Sequence, residues 1–134
     1  MKLKEEEILQ TNIVKYYNMV LKHKIQTETL LYSNRNENNK GGIRGIISGS
    51  IYKEMGRIAG IPDLTFLYNG KIAFIEVKTQ KAYFTATGNI SKSMGLSNDQ
   101  ILMHKKLRDI GHKVKIVYDI DSFKDFILNL FIDN

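Results

Sequence analysis

Apolar and polar positions along the chain alternate with periods that change from segment to segment. In residues 3–24, "LKEEEILQTNIVKYYNMVLKHK", Leu9, Ile13, Tyr17 and Val20 fall on one side of a helical wheel, which predicts a first helix. "DLTFLY" (63–68) and "KIAFIEVK" (71–78) are rich in β-branched and aromatic residues and are separated only by Asn69-Gly70. Asn-Gly is the favoured pair for a two-residue hairpin turn, because both positions need φ > 0. "SNDQILMHKKLRDIG" (97–111) reads as a helix with Ser97 as N-cap and Gly111 as stop. "HKVKIVYDI" (112–120) reads as a strand that can lie parallel to a hairpin strand through the preceding helix. "SFKDFILNLFIDN" closes the chain as a helix with Phe123, Phe126, Ile127, Leu130 and Phe131 on one stripe. The order α-β-β-α-β-α predicts one α/β domain over residues 1–134, a mixed sheet with flanking helices. Two polar stretches, 33–50 and 79–95, read as loops, and "IYKEMGRIAG" (51–60) as a short strand or turn.

The hairpin carries charges that a buried sheet should reject. With a two-residue turn, Tyr68 pairs with Lys71 and each outward step keeps register, so Asp63 lies opposite Glu76. Side chains alternate faces, so Lys78 shares the face of Glu76. Two carboxylates this close repel unless a cation lies between them. A divalent metal would serve, and oxygen-only ligation suits Mg²⁺ or Mn²⁺. The plainer alternative is that Asp63 caps its strand while Glu76 and Lys78 pair across a solvated face. Glu6 raises a similar question. Ile13, Tyr17, Val20 and Leu9 all fall within about 60° of it on the wheel. Either it lies at a hydrated helix start, where the helix dipole favours an acid, or it faces a cation.

Composition narrows the partners. The chain has 134 residues, 43% of them hydrophobic and 25% charged, as expected of a soluble domain with its own core. It has no cysteine, which excludes disulfides and thiolate metal sites and favours a reducing compartment. The charged start "MKLKEEEILQ" is unlike a signal peptide, and no apolar run suffices to span a bilayer. A net charge of +6 suggests a polyanionic partner, although lysine also serves solubility. The candidate phosphate contacts are Arg35, Lys40, Arg44, Lys53 and Arg57 in one polar region and Lys81 and Lys92 in the other. No two of His23, His104 and His112 have metal-ligand spacing, and a lone histidine is usually structural.

Pro62-Asp63, twelve residues, then Glu76-Val77-Lys78 fits the P-D-x(n)-[DE]-x-K signature of restriction-endonuclease-like nucleases. With its flanks, "GIPDL", "IEVK", "LSNDQ" and a helix ending "LRDIG", together with Glu6 followed by "LQ", the sequence resembles the VRR-NUC family over nearly its whole length. The resemblance implies a restriction-endonuclease-like fold. It implies metal-binding acids at Asp63, Glu76 and Glu6, with the Val77 carbonyl as a further ligand, and a Lys78 that assists the attacking water. It also implies a site role for Gln100, although Ser97-x-x-Gln100 is equally a helix capping box. Stand-alone relatives of this size are often phage-borne and resemble junction-cleaving enzymes. That implies a metal-dependent endonuclease acting on DNA, possibly branched or four-way, in the cytoplasm of a bacterial host, with no membrane partner. The alternatives are a non-catalytic nucleic-acid-binding module of the same fold and an RNA-directed nuclease. Residues 79–95 are longer than the resemblance leads one to expect, as a DNA-contacting flap or a tolerated insertion. Leu128 and Ile132 lie opposite the core stripe of the last helix. Paired cutting of a branched duplex needs two sites, so a homodimer with that strip as one candidate surface is expected.

Overall fold

The computed structural model describes residues 2–34 and 56–132. The first helix, α1 (Glu5–Tyr16), continues through a π-helical turn, Tyr17–Leu21, into a last short turn, Lys22–Lys24. The π-turn corrects the expected apolar stripe. A wider turn takes up one more residue, so the inward position after Tyr17 moves from 20 to 21. Leu21 is fully buried, whereas Val20 is 38% exposed.

The sheet has four strands in the order β1-β2-β3-β4: β1 (Thr29–Ser33), β2 (Leu64–Tyr68), β3 (Lys71–Val77) and β4 (Lys113–Val117). The hairpin forms as expected, with Tyr68 opposite Lys71 and Leu64 opposite Ile75. Asn69 and Gly70 both take positive φ, 48° and 73°. β4 runs parallel to β3, reached through the crossover helix α3 (Asn98–Asp109). The short helix α2 (Gln80–Tyr83) lies in the 79–95 stretch, and α4 (Ile120–Asn129) ends the fold. The molecule is therefore α/β with a mixed sheet and flanking helices.

Two elements depart from the expected order. α2 is the first, and β1, antiparallel to β2 from Thr29–Tyr68 to Ser33–Leu64, is the second. "TLLYS" lacks a clear alternation of polar and apolar residues, with Leu30, Leu31 and Tyr32 apolar in a row, although in the sheet Leu30 and Tyr32 are exposed and Thr29 and Leu31 half-buried. Its place comes from partners: the Tyr17 hydroxyl bonds the Thr29 hydroxyl, and β2 supplies the ladder.

One face of the sheet carries the core. Leu64, Phe66, Tyr68, Ala73 and Ile75 meet Ile13, Tyr17 and Leu21 of the first helix and Phe123, Ile127 and Leu130 of the last. Phe66 is its centre, stacked on Tyr68 at 5.4 Å and edge-on to Tyr17 and Phe131. The other face carries Phe74 and Glu76 on β3, and α3 covers this part of it through His104.

Gly60 fixes how the chain enters β2. Its φ is +79°, and a Cβ there would lie 2.3 Å from the Asp99 carbonyl oxygen in the first turn of α3. Gly70 also has positive φ, but a Cβ there would meet nothing within 4 Å. Gly70→Ala should therefore cost about 1–2 kcal/mol, from the left-handed backbone alone. Gly60→Ala should cost clearly more, because backbone must also move. Urea unfolding of the two variants checks this, and equal losses would contradict it.

Candidate functional site

The hairpin register extends past its last ladder pair. Leu64 faces Ile75, so Asp63 and Glu76 are the next residues outward. Asp63 reaches across to β3, where its Oδ2 accepts a hydrogen bond from Val77 N–H at 2.8 Å. Val77 thus enters the site through its N–H. Glu76 is 0% exposed, and its Oε1 lies 3.0 Å from His104 Nε2. Its other oxygen, Oε2, is buried and accepts from no N–H or hydroxyl group; the Asp63 carboxyl is the hydrogen-bonding neighbour of the Glu76 carboxyl. Lys78 is 8% exposed, and its backbone N–H ties the end of β3 to the Val117 carbonyl of β4 at 3.0 Å.

The electrostatics follow from this crowding. Burial, a hydrogen bond shared with the Glu76 carboxyl and the Glu76 charge push Asp63 up from 3.8 to about 7, against the Val77 bond and the Lys78 charge. Burial also pushes Glu76 above the usual carboxylate range, and the Glu6 charge adds to that, while Asp63 and Lys78 oppose it. His104 moves the other way. Burial, followed by Arg108 and Lys78, lowers it from 6.5 to about 4, so it is neutral at physiological pH. With Glu76 ionised, the imidazole Nε2–H donates to Oε1.

Asp63, Glu76 and Lys78 are therefore brought together as the register required, and the solvated surface pair is excluded by burial. Glu6 is half-buried and near enough for its charge to act on Glu76. Glu5 is exposed, and Glu7 accepts from the Lys4 N–H at the helix start. Gln100 is found in the capping box: its Oε1 accepts from Ser97 N–H at 2.9 Å, and its own N–H reaches Ser97 Oγ at 3.3 Å. The capping-box alternative is thus formed, and it occupies the side-chain carbonyl at the start of α3. Arg57, Lys81 and Lys92 are exposed. Arg35, Lys40, Arg44 and Lys53 lie outside the described residues.

His104 lies one turn beyond Gln100, which on sequence grounds could bring it to the site although a lone histidine is usually structural; it is the hydrogen-bond partner of Glu76 across the sheet face. One residue was not singled out by sequence. Asn34 fell in a stretch read as loop. Its N–H donates to the Asp63 carbonyl at 2.8 Å, its Nδ2 to the Pro62 carbonyl at 3.0 Å, and its Oδ1 accepts from Thr65 Oγ1 at 2.8 Å. Asn34 thus holds the backbone on both sides of Asp63.

The acid pair has the chemistry for a hard divalent cation. It offers oxygen donors alone, one of them a buried carboxylate oxygen that takes no N–H or hydroxyl donor. No group of three metal-capable His, Cys, Asp or Glu side chains forms among the described residues. Mg²⁺ is commonly held by one or two carboxylates with water and phosphate completing the shell, so the pair still fits. No protein-family model matches the chain, and comparison with curated proteins and with solved structures gave no match. No helix among the described residues is long and apolar enough to cross a membrane.

Opposed shifts make a testable pH profile. The raised acids keep protons in the folded state that the unfolded chain has lost, so between about pH 4 and 7 they make stability fall as pH rises. His104 acts oppositely: the unfolded chain protonates below 6.5 where the folded one does not, so its contribution rises from about pH 4 to 6.5. The metal-free wild type should therefore show a shallow profile. His104→Gln keeps a donor for Glu76 but removes the opposing titration, so its stability should fall distinctly from pH 4 to 7. Millimolar Mg²⁺ should offset that fall. Parallel denaturation profiles for the two proteins would contradict the assignment.

Proposed function

We propose that this chain is a divalent-metal-dependent endonuclease that hydrolyses DNA phosphodiester bonds, with a restriction-endonuclease-like fold of the VRR-NUC type. One observation carries the reading: Asp63 and Glu76 are neighbours in a largely buried site, with Lys78 alongside, and share a carboxyl–carboxyl hydrogen bond instead of each having a cationic partner of its own. A structural acid pair would be expected to spend both carboxylates on donors. Glu76 Oε2 takes no N–H or hydroxyl donor, at a cost in desolvation of roughly several kcal/mol.

Mg²⁺ or Mn²⁺ held by Asp63 and Glu76, with Glu6 nearby, would supply Lewis acidity and a more acidic water at a phosphate. The remaining work belongs to the chain. His104 holds Glu76 in one orientation through Oε1, leaving Oε2 for the site. Asn34 fixes the Asp63 backbone. Lys78 contributes a positive charge beside the carboxylates, suited to offset the charge that develops on phosphorus oxygens. Arg57, Lys81 and Lys92 offer exposed cations for neighbouring phosphates. Branched DNA is the substrate class this reading favours. A homodimer would supply two sites for paired cuts, and Leu128 and Ile132, 36% and 72% exposed, are candidate contacts for it.

A second reading is a nucleic-acid-binding module without chemistry. It is favoured by the full burial of Glu76 and by the lack of a three-ligand group among the described residues.

Labelled linear, flapped and four-way DNA, and an RNA counterpart, each with Mg²⁺, Mn²⁺ or EDTA, separate the two. Cleavage of branched DNA that disappears in EDTA is expected. Glu76→Ala should lower it about 10³-fold or more. Lys78→Met should keep the fold and greatly reduce cleavage. DNA bound but uncut under every metal would establish the module instead. For the dimer, Leu128→Lys combined with Ile132→Lys should give a folded monomer that nicks without paired cuts. A wild type that sediments as a monomer while still cutting in pairs would refute that part.

A further inference from the structure

Residues 79–95 are a built lobe. Thr79 Oγ1 caps α2 by accepting from Ala82 N–H at 3.2 Å. Phe84 and Ile90 form an antiparallel bridge. Ser91 returns to the helix twice, N–H to the Tyr83 carbonyl at 2.8 Å and Oγ to the Ala82 carbonyl at 3.2 Å. Gly95 closes against Ala82 so tightly that a Cβ there would lie 2.9 Å from the Ala82 Cβ. Tyr83 stacks on Tyr118, just past β4, at 4.7 Å and 22°. The lobe is thus pinned to the end of the sheet.

Between this lobe, α3 and β4 lies a half-enclosed cleft of about 340 Å³. Its charged side chains are Lys92 and Arg108, with no acid among the lining residues; Lys115 also borders it, but by its pairing with Ile75 its side chain starts from the core face of β4. Neither Lys92 nor Arg108 has an ion-pair partner among the described residues. Its floor is apolar, including Leu96, Ile101 and Val114, and Tyr83 lines one side. His104 lines it too, and the same side chain contacts Glu76 at 3.0 Å. His104 therefore borders both the cleft and the acid pair.

We propose that this cleft receives one unpaired nucleotide of the strand engaged at the acid pair, with its phosphate on Lys92 and Arg108 and its base over the apolar floor beside Tyr83. The inference rests on the nuclease reading and adds a feature of the substrate to it. Charge complementarity argues for phosphate, since two cations without an acid among the lining residues attract an anion. The floor and the braced aromatic ring argue for a base, because every base offers a π-face to such a platform. The volume argues for one nucleotide: it is at the low end of the ~300–1,000 Å³ typical of small-molecule sites and too small for paired bases. An unpaired nucleotide is also what distinguishes a flap or branch point from continuous duplex.

The test measures binding without cleavage, on the whole chain in EDTA. Thymidine 5′-monophosphate, thymidine and inorganic phosphate are titrated separately and followed by NMR. The monophosphate should bind about 10-fold or more tighter than either part, shifting the Leu96, Ile101 and Val114 methyl signals. Lys92→Gln combined with Arg108→Gln should weaken it about 10-fold or more. Ile101→Glu, which places an acid in the floor, should weaken it as well. The double variant should also lose more affinity for a duplex with one unpaired nucleotide than for the fully paired duplex. Phosphate binding as tightly as the nucleotide, no binding of any probe, or unchanged binding by the double variant would each overturn the proposal. DNA cleaved in Mg²⁺ without nucleotide binding in EDTA rejects the cleft alone. Nucleotide bound in the cleft with no DNA cleaved under any metal rejects the nuclease reading alone.

Discussion

A carboxylate with no exposed surface is the constraint around which this molecule is arranged. Glu76 lies at the end of the central hairpin strand, where an unpartnered charge would cost roughly several kcal/mol. Its surroundings offset that cost only in part. His104 takes one oxygen, Lys78 supplies opposite charge, and Asp63 shares the crowding by holding a proton up to about pH 7. The second oxygen takes no N–H or hydroxyl donor. Such incompleteness is tolerable in a fold whose core lies on the other sheet face, around Phe66, and does not depend on the acids.

The scaffold holds this arrangement from three directions. The Asn69-Gly70 turn sets the register that brings Asp63 beside Glu76. Asn34, at the end of the edge strand, clasps the backbone from Pro62 to Thr65. The crossover helix packs its first turn against Gly60, where no side chain fits, and brings His104 over the sheet. Each of these acts on backbone or on a short polar side chain, which limits how far the carboxylates can move. Because β4 is parallel to β3, the crossover helix must lie on a sheet face, and it lies on the one that carries Glu76.

The capping box of α3 illustrates how one motif can serve two readings. Ser97-x-x-Gln100 is a local device, complete within a single helical turn, and the structure uses it so. Its consequence for the site is indirect: it fixes where the helix starts, and hence where His104 falls, four residues after Gln100. The 79–95 lobe is similarly local in construction, yet it supplies one wall of a cationic cleft whose floor reaches His104.

The sequence by itself determined the hairpin, its register and the meeting of Asp63, Glu76 and Lys78, because a two-residue turn and a period of two leave no freedom in which residues oppose one another. It likewise determined the buried stripe of the last helix and the parallel placement of β4, since both follow from periodicity and from a helical crossover. Only the tertiary structure decided the rest. A single extra residue in a π-turn exchanged Val20 for Leu21 in the core, a shift that no fixed helical period contains. β1 was settled by its neighbours in the sheet, as a strand this short carries too little alternation of its own. His104 and Asn34 acquired their roles from residues 28 and more positions away in the chain, and local pattern holds no record of contacts made at that separation.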